Sequence, residues 1–321
     1  MSGSIHSSSS SDASSTEIER PLSLVDPTTP IHSREKVSFS ELCCWDDCPH
    51  RWYIDYLLGP RIKTFGVDLF FGDSVHSALE QTLRRTGSVS PTAAAEYFES
   101  RFSGQMRENR LSLERPISDD DLNDLVHAGR RICERARDIF EIKEFVGGEV
   151  VFNELKLVEP IARADGRSYT FKGFVDIGMK VPKKRGKGSL LWVLDFKTCG
   201  WGWPWQRKAD VSKHRQLFLY KHFLCRKHGL DPRDVRCGFV LLKKRPRPLT
   251  RGSLELESPF ELVTVGAGPN PITRAVEHLS TRITGMCSGL HPKNRSSCKK
   301  VFGSFTSTCP HLGTERCPEI D

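Results

Sequence analysis

The sequence predicts an α/β fold: a central mixed β-sheet flanked by helices, with added helices in front and a cysteine-bearing C-terminal tail behind. Two observations carry this. Apolar residues recur at helical spacing up to about residue 143, then alternate over 148–158, 169–181 and 190–197. A helical stretch at 210–228 follows those three strands and precedes a fourth strand at 236–243. No internal repeat is present.

Taken in order, residues 1 to about 36 are Ser-rich and read as a disordered tail. Residues 37–321 read as one domain: a helical part at 37–145, a sheet core at 146–245, and a last helix with its tail at 246–321. Ser38 is the candidate N-cap of a first helix that continues irregularly through Cys48-Pro49 to Leu58. Segment 72–83 is a second helix, with Asp73 or Ser74 near its N-cap. Val75, Leu79 and Leu83 form its apolar stripe, and His76 sits beside that stripe. Segments 91–110 and 118–143 are two covering helices. The basic stretch 182–188 is a turn between the second and third strands, and 273–286 is the final helix.

Composition limits the function classes. A net charge of +8 favours a polyanionic partner. No apolar run reaches membrane-spanning length, and the N-terminus has neither a secretory h-region nor a transit-peptide pattern. The expectation is an intracellular, cytoplasmic protein with no membrane partner. Eleven Cys without a secretion signal argue against a disulfide framework. Cys133, Cys199, Cys225 and Cys237 stand singly in helices or strands and read as buried thiols.

The chemistry concentrates in the strands. Asp195 and Lys197 lie two apart at the end of an apolar run, so a strand projects them to one face while Leu194 and Phe196 point to the other. Asp176 interrupts the apolar strand before it, where a carboxylate is costly unless paired or metal-bound. If the two strands are neighbours, Asp176 and Asp195 share a divalent ion, with His76 as an imidazole ligand. Oxygen ligands with few nitrogens favour Mg²⁺ or Mn²⁺. Gln216 and Tyr220 are four apart and share a helix face. Such a pair is able to orient a phosphate or the Lys, or to be a plain satisfied helix face. Trp201, Trp203 and Trp205 alternate beside Arg207 and Lys208; they read either as a single-strand stacking surface or as indoles packed on the core. Lys183-Lys184-Arg185 and 243–247 read as backbone contacts or as solvated turns.

These motifs resemble the PD-(D/E)XK nuclease superfamily, in its RecB-like branch. The likeness rests on Gly72-Asp-Ser-Val-His76 with Leu79-Glu80, Gly173-Phe-Val-Asp176, Asp195-Phe-Lys-Thr198 and Gln216-Leu-Phe-Leu-Tyr220, in the family's order from about residue 38 to the C-terminus. It implies a restriction-endonuclease-like core. It also implies that His76, Asp176, Asp195 and the main-chain carbonyl of Phe196 bind the metal. Lys197 would position or activate water, with Gln216 and Tyr220 in support. Glu154, on the preceding strand, matches a position that is often acidic and equally reads as a solvated strand residue.

The cysteines extend the resemblance. Cys48-Pro49 in the N-terminal helix, with Cys298, Cys309 and Cys317 in the tail, is similar to the iron–sulfur members of that branch. Four thiolates would hold a 4Fe-4S cluster and staple the chain ends across a loop of about 250 residues. The tail cysteines are more widely spaced than in the tightest family pattern. Cys43, Cys44 or Cys287 is an alternative for one ligand, and zinc is the alternative metal. The implied activity is metal-dependent DNA exonuclease action on single strands or ends, in repair, recombination or replication. A structure-specific endonuclease and a catalytically silent DNA-binding member are the competing readings. No P-loop motif occurs, so unwinding would need a helicase or recombination partner.

Overall fold

The computed structural model describes residues 35–58, 66–84, 86–162, 168–250, 253–302 and 305–318. The expected disordered tail lies almost wholly outside them. The chain runs β1 (Lys36–Ser38), α1 (Phe39–Asp47), α2 (Pro49–Tyr56), α3 (Val67–Thr82), α4 (Pro91–Asn109), α5 (Asp119–Glu134), β2 (Glu149–Ala162), β3 (Ser168–Pro182) and β4 (Ser189–Cys199). It continues through α6 (Trp205–Lys208), α7 (Val211–His228), β5 (Val235–Lys243), β6 (Phe260–Val265), α8 (Pro269–Cys287), and the hairpin of β7 (Lys299–Phe302) with β8 (Phe305–Thr308).

Six strands form one mixed sheet in the order β1-β3-β4-β5-β6, with β2 also paired to β3. β2, β3 and β4 form an antiparallel meander, and α7 crosses back so that β5 lies parallel to β4. A parallel return needs such a crossover. Helices cover both faces, the expected mixed α/β architecture. On one face, residues of α1, α2, α7 and α8 pack on Val193, Phe239 and Leu241. On the other, α3, α4 and α5 pack on Leu194, Phe196 and Val240. Central strands covered on both faces are nearly all apolar, so the few polar residues inside them need a reason.

Local chemistry explains the helix limits. Ser38 caps α1 by accepting the Glu41 N–H at 3.3 Å. Pro49 breaks the first helix in two, and the Cys48 thiol caps α2 by accepting the Arg51 N–H. At the end of α7, Gly229 takes φ 61°, the left-handed conformation that glycine adopts without penalty.

Three sequence expectations are corrected. α3 starts at Val67 behind Gly66, so Asp73 and Ser74 are mid-helix. Its extra first turn forms because Phe70 and Phe71 bury there. α5 stops at Glu134, and the rest of the expected helix is a 3₁₀ turn at Ala136–Glu141. β1 and β6 were not expected, nor was the β7–β8 hairpin.

Candidate active site

The site grows from a place where the β3–β4 ladder stops. Pairing runs from Pro182↔Ser189 to Ile177↔Leu194 and ends there. The next pair in that register is Asp176 opposite Asp195. With no β3 carbonyl left to receive it, the main-chain N–H of Phe196 donates instead to Asp176 Oδ2 at 2.7 Å. The register of β2 against β3 likewise sets Glu154 opposite Asp176, between the pairs Asn153↔Ile177 and Leu155↔Val175. Three acids on three adjacent strands thus stand at one level.

The strand alternation holds in β4. Leu194 and Phe196 enter the core under α3, and Phe196 lies 5.6 Å from the His76 ring, centroid to centroid. Asp195, only 2 % exposed, turns to α7 and forms an ion pair through Oδ2 with Lys197. Its Oδ1 accepts the Gln216 amide at 2.8 Å, and the same amide nitrogen donates to the Tyr220 hydroxyl at 3.0 Å. Gln216 and Tyr220 therefore work on one face of α7, as their spacing predicts. Gly173 makes room for them: a Cβ there would come within 2.6 Å of Tyr220 Cε1.

Electrostatics follow from burial. Desolvation pushes the Asp176 carboxyl up to about 6 even though Lys197 and the Phe196 N–H oppose it. Asp195 is pushed up to about 6 as well, again by burial first, against the pull of Lys197. Burial acts to lower Lys197, but Asp195 and Asp176 outweigh it and raise its pKa, so the ammonium stays charged. His76 keeps 28 % of its side chain exposed, yet its apolar surroundings pull it down to about 4, which leaves a neutral imidazole. Its Nδ1 lies 3.6 Å from Asp176 Oδ2. Burial and Asp195 raise Tyr220 and keep its hydroxyl protonated. Glu154 is exposed, and its carboxyl is raised by partial burial and then by Glu80 and Asp73.

This donor set suits a hard divalent ion. Asp195 Oδ2 is buried and accepts no well-aligned hydrogen bond beyond its ion pair. Burial raises both carboxyls, and a divalent cation bound between them would favour their ionised forms. Among the described residues, no three His, Cys, Asp or Glu side chains already form a closed group that could hold a metal ion. His76, Asp176 and Asp195 are neighbours rather than a formed coordination shell.

Cys48, Cys298, Cys309 and Cys317 line one small pocket together with His311. Cys48 Sγ accepts the main-chain N–H groups of Arg51 at 3.4 Å and Asn294 at 3.3 Å. Cys317 Sγ accepts Arg295 Nη1 at 3.6 Å. Burial raises the Cys298 thiol, and Cys309, Cys317 and Cys48 add to the effect. The three alternative cysteines do not line this pocket. Cys43 is exposed, Cys44 meets Asp55 at 3.9 Å, and Cys287 donates to the Tyr169 hydroxyl at 3.1 Å. His311 Nε2 donates to the Asp55 carboxylate at 2.7 Å, which helps to hold that carboxyl below its usual range against burial.

The tryptophans divide. Trp203 is buried on Phe239 with Arg207 over its ring, whereas Trp201 and Trp205 are exposed. Several basic residues already hold acids of this chain: Lys183 pairs with Asp234, Lys243 with Glu257 and Lys244 with Asp68.

Sequence reasoning missed the Phe196 N–H, because a main-chain donor freed by a ladder's end carries no residue signal. It also missed Cys43 as a neighbour of Lys197, since only the packing of α1 brings them together.

The family model for the PD-(D/E)XK nuclease superfamily matches residues 36–311. The chain belongs to the PD-(D/E)XK nuclease superfamily. That membership implies a metal-dependent nuclease acting on DNA, and such nucleases typically use Mg²⁺ or Mn²⁺. The mixed sheet with helices on both faces is consistent with the superfamily's restriction-endonuclease-like core. No curated protein matches the chain at a significant level. No helix among the described residues is long and apolar enough to cross a membrane.

Proposed function

We propose that this chain is a DNA exonuclease of the RecB-like branch, acting on single strands or DNA ends in repair, recombination or replication. The observation that carries the hydrolytic part is the level of acids at the end of the β3–β4 ladder, with Lys197 ion-paired to Asp195. His76, Asp176, Asp195 and the Phe196 carbonyl would hold Mg²⁺ or Mn²⁺, with Glu154 adding negative charge at the same level. A divalent ion bound there supplies Lewis-acid stabilisation of the phosphoryl charge.

The chain's own groups do the rest. Lys197 stays protonated, so it donates hydrogen bonds to the attacking water and to the phosphoryl oxygen on which charge develops. Gln216 fixes Asp195, and Tyr220 fixes Gln216. The neutral His76 presents a lone pair rather than a competing charge.

The four pocket cysteines would bind a 4Fe-4S cluster, with main-chain N–H groups and Arg295 donating to their sulfurs. They join α2 to the C-terminal tail, which suits a structural staple. A Cys₄ zinc site is the second reading. Four cysteines at one place suit that ion as well. Metal analysis and the visible spectrum of anaerobically purified protein separate them: brown, iron-loaded protein supports the cluster, and colourless, zinc-loaded protein overturns it.

Incubation of the full chain with Mg²⁺ and two substrates tests the cleavage mode. End-labelled linear single-stranded DNA is degraded and a closed single-stranded circle survives. Cutting of the circle favours the endonuclease reading. Folded, metal-loaded protein that cuts neither overturns the nuclease assignment for this chain.

A further inference from the structure

The groove beyond the C-terminal end of β4 is a second feature of the catalytic strand. Its volume is about 770 Å³, and it lies between the start of α3, α5 and the chain following β4 and β5. Trp201 stands at its edge with 59 % of its surface exposed, an unusual state for an indole so close to a core strand. The Arg245 guanidinium sits 5.6 Å from the Trp201 ring centroid. Two main-chain bonds fix that pairing: Lys244 N–H to the Cys199 carbonyl and Arg245 N–H to the Gly200 carbonyl, both at 2.9 Å. The indole and guanidinium are therefore placed by the ends of β4 and β5, not by a free loop.

A third observation points to an anion in the same groove. Arg131 of α5 donates through Nη2 to the Lys244 carbonyl at 2.7 Å. Its Nε is buried and, among the described residues, has no hydrogen-bond partner. Arg131 also lines the groove, so its guanidinium adds positive charge beside Arg245. Asp68, Glu114, Asp121 and Asp124 also line the groove; Asp121 and Asp124 share α5 with Arg131, and Asp68 pairs with Lys244.

We infer that Trp201, Arg245 and Arg131 form a single-stranded DNA subsite: one base stacks on the exposed indole, and the adjoining phosphate meets the two guanidinium groups. The strand sets the distance to the chemistry. Trp201 is four residues beyond Lys197 and two beyond the end of β4, so at most roughly 13 Å along the chain, a span of a few nucleotides. The inference rests on the nuclease reading for its biological sense, but its test does not depend on cleavage. This subsite holds the strand while Asp195 and Lys197 act on the bond ahead of it.

The test is equilibrium binding of fluorescein-labelled dT₁₂ to the full chain by anisotropy, with EDTA present so that no cleavage occurs. Trp201→Ala weakens binding roughly 5- to 150-fold, the range for loss of one base–aromatic stack. Trp201→Phe restores most of it, and Arg245→Ala lowers both affinity and its salt dependence. Circular dichroism checks that the variants fold, as expected for an exposed indole. A wild-type chain that does not bind dT₁₂, or a Trp201→Ala variant that binds it equally well, overturns the subsite. A Trp201-dependent affinity in a chain without nuclease activity keeps the subsite and overturns the nuclease reading instead.

Discussion

Replacing Asp176 with Asn separates stability from activity at the proposed metal site. The amide is isosteric, and its oxygen still accepts the Phe196 N–H that Asp176 Oδ2 accepts at 2.7 Å. What the change removes is a buried carboxyl whose pKa stands near 6 rather than 3.8. That difference corresponds to about 3 kcal/mol between the two protonation states. The change also relieves Asp195, whose carboxyl Asp176 helps to raise, and removes Asp176's favourable interaction with Lys197, so the expected gain is about 1–3 kcal/mol.

The sign follows from proton binding. Between pH 3.8 and about 6 the folded protein retains a proton that the unfolded chain has lost, so the wild type loses stability as pH rises through this window. The Asn variant has no such group. Its advantage is therefore absent near pH 4, grows to pH 6, and stays constant above. Urea unfolding in EDTA at pH 5 and pH 8 measures it. Mg²⁺ then stabilises the wild type, by about 2.7 kcal/mol at a hundredfold excess over Kd, and leaves the variant unmoved. A variant less stable than wild type at pH 8, or a gain independent of pH, rules out a burdened Asp176 carboxyl.

Other outcomes follow from the same geometry. Gly173→Ala drives a Cβ into Tyr220; it costs about 1–3 kcal/mol and lowers kcat through the displaced Gln216, as urea titration and a cleavage assay would show. His76→Ala weakens Mg²⁺ binding, read by calorimetry, while leaving thermal unfolding in EDTA nearly unchanged. Cleavage rates at saturating DNA fall as pH drops below about 6, where protons compete with metal for Asp176 and Asp195. Cys298→Ser removes the metal proposed for the cysteine pocket and loosens α2 from the C-terminal tail, seen as loss of bound metal and a lower Tm.

Much of the fold was legible because burial writes itself into periodicity. β4 alternates between two packed faces, so Leu194 and Phe196 separate from Asp195 and Lys197 in sequence as they do in space. Asp176 stood out as a charge in an apolar strand, and Gln216 with Tyr220 as a four-residue helical pair. The missed parts lack such signals. β1 has three residues and pairs in parallel with β3, far away in sequence. β6 is a short edge strand whose partner, β5, supplies its register. The start of α3 was misjudged because Asp73 and Ser74 are good capping residues. The apolar turn before them, held by buried Phe70 and Phe71, overrides that preference. The convergence of four cysteines depends on tertiary packing of α2 against the tail, which spacing alone does not determine.

The proposed role of the Asp195–Lys197 pair is to cut DNA with a divalent ion. The direct measurement is the Mg²⁺-dependent cleavage rate of linear single-stranded DNA by wild type and by Lys197→Ala, each shown to be folded. The wild type cleaves, EDTA abolishes cleavage, and the variant falls by two to three orders of magnitude, on the order of 3–4 kcal/mol, with DNA binding retained. A Lys197→Ala variant that cuts DNA at the wild-type rate contradicts that role.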